Sequence, residues 1–437
     1  TVTVTPGTGG ATTMTFASFS RTAGASVLFR GTSMGSIAGT NVSTLLFTAA
    51  PALIGAAGAE GTTTMSVLKG AYGDTSLSGT GSDMVTVVSN KLRPLTSNEY
   101  AGDLQTANAN VKLTADRAAV ATNTNSLILN GFGITNPGGA ITIPISSASL
   151  AGNILINSAT NIAGANTTLG ITTTELNILA TANSTISAII GTATTGSLTL
   201  SGTGNVTLSA ANPYTSTTFI NNATLTAGVN NALSSGGVTM RSGLYNLNGN
   251  SDTVGAISLT GSTISTGAGT LTGNGSFTTA TNANFSSIIT GNLGLGANAT
   301  FTIGDGLMDN DAVISAVISG GFTFAKAGNG VLELSGSNTF SGATTISAGI
   351  LRLGATGGGT NTPLGTTAGG TTVSGATAAL DLNGYTLGTA EGLTLSGALA
   401  TGALQNTSST AVNYSGQIIL GAASTIISNY GDINITA

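Results

Sequence analysis

The chain has no cysteine, no histidine and no tryptophan, and only 6% of its 437 residues carry a charge. The missing cysteine removes disulfides and thiolate metal sites together. The missing histidine removes the most frequent acid–base catalyst. Ten basic residues against fifteen acidic ones, a formal net charge of -5, leave no basic stripe that could follow a nucleic acid backbone. No apolar run reaches membrane-spanning length, because Gly, Thr, Ser or Asn interrupts each one. Ordinary cytosolic enzymes do not have this composition. Disorder is disfavoured as well: the mean hydropathy is positive, whereas disordered chains combine low hydropathy with high net charge.

What the chain has instead is glycine, at 65 positions, set between short alternating runs. The pattern is clearest from Gly328 to Gly354. Apolar residues alternate with polar ones at Leu332 and Leu334, then at Ile346, then at Leu351 and Leu353, with Gly, Ser, Asn and Thr between. This spacing predicts three strands joined by two turns. Each strand is too short to bury its own apolar row, so the unit has to lay that row against a neighbour of the same kind, which is the logic of a solenoid. The stretch from Gly202 to Gly228 repeats the pattern 126 positions upstream. Val206 and Leu208 stand for Leu332 and Leu334, Asn212 for Asn338, Tyr214 for Phe340, Ile220 for Ile346 and Leu225 for Leu351. Further along, Tyr245 to Gly249 answers to Leu380 to Gly384, and Ile257 to Leu259 answers to Leu393 to Leu395. Asn-Gly pairs at Asn130, Asn248, Asn274 and Asn383 supply the left-handed backbone that a tight corner needs.

The run from Gly328 closely resembles the autotransporter-associated β-strand repeat. It has the opening Gly328-x-Gly330, the strand Leu332-x-Leu334-x-Gly336, the turn Asn338-x-Phe340-x-Gly342 and the close Thr344-x-Ile346 with Gly349-x-Leu351-x-Leu353. The copy from Gly202 is looser and lacks the glycine after Tyr214. The resemblance implies a secreted or surface-displayed bacterial protein folded as a right-handed parallel β-helix. The chain opens at Thr1 without a signal peptide and shows no C-terminal membrane-barrel pattern, so a mature subunit or an excerpt of a longer protein is expected.

Seven of the ten basic residues lie between Arg21 and Arg117; only Arg241, Lys326 and Arg352 follow. Strand signals are good up to Phe47 and poorer from Ala49 to Arg117, where Pro51, Tyr72, Pro94 and Tyr100 sit among charges. The expected architecture is all-β, a right-handed parallel β-helix (β-solenoid) with an insertion in the N-terminal quarter. Solenoid coils are expected over residues 1–48, a more charged insertion or irregular coils over 49–117, and a regular solenoid body over 118–437 with repeat units near 202–261 and 328–397. The 49–117 region is expected to leave the body and to carry the specific contacts.

Enzymes built on β-helices use grouped Asp side chains, commonly with a His, or Asp-bound calcium with an Arg or Lys base. Here the carboxylates beyond Arg117 are mostly isolated, and no catalytic residue is expected. The one acidic group is Asp305, Asp309 and Asp311. Their oxygens suit calcium, but the spacing matches neither the EF-hand loop nor the glycine-rich nonapeptide. Turns favour Asp and Asn on their own account, so a structural turn is the preferred reading and a calcium site the alternative. Lys326 and Arg352 are expected on outward, solvated positions. Tyr72, Tyr100, Tyr214, Tyr245, Phe340, Tyr385, Tyr414 and Tyr430 would be candidates for a sugar-stacking platform, yet Tyr214 and Phe340 hold equivalent turn positions, where packing across the corner is the simpler account. The resemblance implies an extracellular or cell-surface location, and with it the composition and pattern lead to a structural protein without enzymatic activity: a self-associating fibre, sheath or stalk component whose main partner is itself. The alternative is an adhesin passenger that binds polysaccharide or a host or biofilm surface.

Overall fold

The computed structural model describes residues 1–436 except 38, 137, 165, 173, 192–195, 282–283, 389–390 and 398–401. Apart from a single 3-10 turn at Ser97–Glu99, the regular elements among the described residues are all β-strands. Parallel sheets stack into a β-solenoid with about 13 turns in all, as the repeat pattern predicts. The chain divides into two compact units, Thr1–Gly236 and Gly237–Ala437.

In the second unit the repeat folds into the three strands that its spacing predicts, Val331–Leu334, Thr344–Ile346 and Gly349–Leu353. Side chains alternate across a strand, so Leu332, Leu334, Ile346, Leu351 and Leu353 all face inward and are fully buried. The parallel register then places like on like. Leu332 lies beside Leu351, Leu351 beside Leu380 and Leu380 beside Leu404, while Ile346, Val373 and Leu395 form a second column. Adjacent strands are about 4.8 Å apart, so each side chain touches the one above, and burying each Leu or Ile contributes roughly 1.5–3 kcal/mol. Phenylalanines continue the stacking: ring centroids are 4.3 Å apart for Phe277 and Phe301, 4.4 Å for Phe301 and Phe324, and 5.5 Å for Phe324 and Phe340.

The asparagine and the glycines of the repeat serve the corners. A corner interrupts the strand ladder, and buried backbone groups there still need partners. Asn338 is fully buried. Its Oδ1 accepts from the Ile318 N–H (2.7 Å) and its Nδ2 donates to the Pro363 carbonyl (2.7 Å), so one side chain ties three successive coils. In the first unit Asn212 does the same between the Ile190 N–H (2.7 Å) and the Ala232 carbonyl (2.5 Å). Gly328 and Gly349 have φ of +74° and +64°, and a Cβ on Gly349 would lie 2.4 Å from the Gly328 carbonyl oxygen. The left-handed backbone and the close approach both require glycine.

In the first unit one solenoid sheet is covered on its outer face. Its strands Thr124–Asn130, Asn153–Ser158, Leu176–Ala180 and Leu198–Ser201 are buried at almost every position. The cover is a seven-stranded mixed sheet. Val2–Val4, Val27–Gly31 and Ala71–Asp74 pair in parallel, as do Thr12–Phe16 and Ser43–Phe47. Antiparallel pairing through Asp83–Val88 and Lys91–Pro94 joins these two groups. Residues 1–48 thus contribute four strands to this sheet. It has its own core around Phe29, Leu45, Phe47, Val85 and Leu92. From the 49–117 region, Met65, Tyr72, Met84, Leu95 and Tyr100 pack onto Ile128, Leu155 and Leu179 of the solenoid sheet, and the Tyr72 hydroxyl donates to the Asn177 carbonyl (3.0 Å).

Replacing Asn338 by Ala leaves the Ile318 N–H and the Pro363 carbonyl without partners, at roughly 1–3 kcal/mol for each buried group. Asn338→Ala is expected to lower the urea midpoint with an unchanged slope. An unaltered midpoint would mean that the corner amide is not a structural tie.

Candidate functional site

Asp305, Asp309 and Asp311 lie on the turn between the strands Ala299–Ile303 and Ala312–Ile314. The turn does not gather their carboxylates. Asp311 is buried; its Oδ1 accepts from the Gly306 N–H (2.7 Å) and its Oδ2 from the Val331 N–H (2.8 Å). It therefore closes its own loop and holds that loop to the following coil. Asp305 and Asp309 are exposed, and Asp309 engages through its backbone carbonyl, which accepts from Arg352 Nη1 (3.0 Å). Among the described residues no three Asp or Glu side chains form a group that could hold a metal ion.

Arg352 and Lys326 are not the solvated residues expected from the sequence. Arg352 donates from Nε to Asp381 Oδ2 (3.0 Å) and from Nη1 to Asn310 Oδ1 (2.8 Å). Asp381 is itself fully buried and also accepts from the Thr407 hydroxyl (2.7 Å). Asn310 passes the network on to Glu333 (2.8 Å). The register explains the grouping: Glu333, Arg352 and Asp381 occupy consecutive positions in one column, where opposite charges stack as cross-strand pairs.

Lys326 lies inside the solenoid. It shares the inward face of Phe324–Ala327 with Phe324, and the register sets it between Phe301 and Ile346. Strand alternation leaves no choice, because an inward Phe324 makes Lys326 inward too. Its aliphatic stem fills the place that the buried Leu200 takes in the other repeat. The ammonium donates to the carbonyls of Ala327 (3.1 Å), Gly328 (2.8 Å) and Ala348 (3.0 Å), three acceptors for its three N–H groups. Burial pulls its pKa down to about 7, opposed by the Asp311 carboxylate.

The first unit has a buried ion pair that sequence reasoning did not find. Arg21 Nη2 meets Glu175 Oε2 at 2.5 Å, and Glu175 Oε1 accepts from the Gly24 N–H (2.8 Å) and the Thr199 hydroxyl. Burial lowers the nearby Lys69 to about 8 against the raising influence of Glu175. The one available signal was Glu175 itself, a lone carboxylate in the uncharged stretch between Arg117 and Arg241. The aromatic platform does not form from Tyr72, Tyr100, Tyr214, Tyr245, Phe340 and Tyr414, all of which are buried.

Among the described residues, surfaces with few charges lie open in both units. In the first unit a groove of about 330 Å³ is lined by Thr160, Asn161, Asn183, Thr185, Asn205 and Thr207. In the second unit the strands Ile418–Leu420, Ile426–Ser428 and Ile433–Ile435 form a coil that, among the described residues, is paired on one side only. Three interior columns run out there: Val373 and Leu395 lead to Leu420, Leu380 and Leu404 to Ile426, and Tyr414 to Ile435. The earlier members are fully buried, whereas Leu420 is 65% and Ile435 52% exposed.

The lowered pKa of Lys326 fixes the sign of a pH effect. An unfolded lysine titrates near 10.4, so between about 7 and that value the unfolded chain binds more protons, and stability rises with pH. Denaturant unfolding between pH 7 and 10 is expected to show this rise, and Lys326→Met is expected to flatten it by on the order of a few kcal/mol. Equal slopes for the two proteins would mean that Lys326 stays charged throughout.

Residues 196–227 and 324–353 match the passenger-associated-transport-repeat, the two stretches that hold the corner asparagines Asn212 and Asn338 or the strands beside them. No curated protein and no solved structure matches the chain. With two such repeats set in a parallel β-solenoid, the chain is similar to the β-helical passengers of autotransporters.

Proposed function

We propose that the chain is a structural element of the cell exterior that associates laterally with copies of itself through apolar side chains exposed on the turns of its second unit. The repeat implies secretion or surface display. The observation that carries the finer reading is a pair of large apolar side chains exposed on the turns that lead into the strands Ser287–Leu295 and Ala312–Ile314 of paired coils, Phe285 at 62% and Leu307 at 82%. Another copy laid along these coils would bury them at roughly 25 cal/mol per Å². In this reading the chain has no catalytic role and needs no cofactor.

The groove of Thr and Asn side chains in the first unit favours a second reading, an adhesin that holds a neutral polysaccharide by hydroxyl and amide hydrogen bonds.

Sedimentation of the purified protein over a range of concentrations separates these readings. Self-association predicts a mass that grows with concentration and changes little with salt, since few charges take part. Phe285→Lys combined with Leu307→Lys is expected to keep the protein monomeric with unaltered thermal unfolding, because both side chains are exposed. A constant monomer mass for the unaltered protein, or equal assembly of the double variant, would contradict the proposal; a monomer that binds neutral polysaccharide would support the adhesin.

A further inference from the structure

A cleft of about 450 Å³ opens in the first unit between the strand Val27–Gly31 of the mixed sheet and the solenoid strands Leu176–Ala180, Leu198–Ser201 and Thr218–Asn221. Its volume falls within the roughly 300–1,000 Å³ of small-molecule sites. Leu28 and Leu179 give it apolar surface, and Thr80, Thr181, Thr203 and Asn222 give it hydroxyl and amide groups. The hydroxyls of Thr80 and Thr203 and the amide of Asn222 make no hydrogen bond within the described residues, so they are free to meet a ligand.

The cleft has one cationic side chain, Arg30. Its Nε donates to the Thr3 hydroxyl (2.8 Å) and its Nη1 to the Gly79 carbonyl (3.0 Å). These two bonds fix the guanidinium, while Nη2 has no partner and Arg30 forms no ion pair among the described residues. The neighbouring carboxylate, Asp74, is cross-strand from Arg30 but is occupied by the Ser76 N–H (2.9 Å), the Ser76 hydroxyl (2.8 Å) and the Gly81 N–H (3.1 Å). The result is a positioned guanidinium with donor capacity, beside free hydroxyl and amide groups and an apolar wall.

We propose that this cleft binds an acidic sugar, a uronate unit of a saccharide, with its carboxylate on Arg30, its hydroxyls on the Thr and Asn side chains and its C–H face on Leu28 and Leu179. A guanidinium recognises a carboxylate by charge-assisted hydrogen bonds. A peptide strand has no edge to join, because Val27–Gly31 and Leu198–Ser201 each already pair on both sides. The cleft is lined by residues of the first unit alone, so its ligand is tested independently of self-association.

The test is a matched pair of ligands, methyl β-D-glucuronide and methyl β-D-glucoside, titrated into the full chain and followed by NMR. The glucuronide is expected to bind at least about tenfold more tightly, the minimum that a hydrogen bond to a charged group of ~1.5 kcal/mol supplies. Arg30→Gln is expected to abolish that preference. Because Arg30 also holds Thr3 and Gly79, a second variant leaves it in place: Thr203→Trp, on an exposed wall position, fills the cleft and is expected to abolish binding with unchanged thermal unfolding. Equal binding of the two glycosides, a preference retained in Arg30→Gln, unaltered binding in Thr203→Trp, or no binding at millimolar ligand would overturn the proposal.

Discussion

A strand of three to five residues cannot bury its own apolar side chains, and this constraint shapes the whole chain. The strand's single inward row has to be covered from above and below, so stability resides between coils as much as within them. Parallel register makes that possible by setting Leu332, Leu351, Leu380 and Leu404 in one column. Everything else in the repeat serves that register. The glycines admit the corner, and Asn338 replaces the ladder bonds that the corner removes. Lys326 is the clearest consequence. A lysine in an inward position is drawn into the core, and the corner carbonyls of Ala327, Gly328 and Ala348 receive its ammonium. Transfer of a bare ammonium from water would be prohibitive, and three acceptors together with a lowered pKa make it tolerable.

The two units manage their outward faces differently. In the second unit the outer faces carry Thr, Ser and occasional charges, and register gathers three of these, Glu333, Arg352 and Asp381, into one column. The first unit covers one sheet with a mixed sheet, fastened by an apolar layer and by the buried pair of Arg21 and Glu175. Breaking such a pair from one side leaves an uncompensated buried charge, so the attachment depends on both partners. The cleft lined by Arg30 opens between that cover and the solenoid, beside Leu28 and Leu179.

The strands of the repeat were legible in the sequence, since period-two alternation and glycine spacing locate Val331–Leu334, Thr344–Ile346 and Gly349–Leu353 directly. The packing role of Tyr214 and Phe340 was legible too, because equivalent positions in two repeats share an environment. The placement of Lys326 was inferred from residue type when alternation from Phe324 already decided it. The covered sheet announced itself in the unbroken triplets Leu127-Ile128-Leu129 and Ile154-Leu155-Ile156, which mark strands buried on both faces. What covers them was not legible, because the mixed sheet joins strands by antiparallel and long-range pairings that no local period encodes. For the acidic turn, the sequence showed three carboxylates close along the chain, but side-chain direction separates them: Asp311 turns in to cap backbone N–H groups while Asp305 and Asp309 face solvent.

The central claim is that each coil depends on its neighbours, and native-state hydrogen exchange of the dilute, unassembled protein tests it most directly. Amides of Val331–Leu334, Gly349–Leu353 and Ala378–Asp381, each flanked by coils on both sides, should exchange slowly. Those of Ile418–Leu420, Ile426–Ser428 and Ile433–Ile435 should exchange by local opening at much lower free energy. Equal protection across the second unit, with the open coil as stable as the flanked ones, would contradict the account.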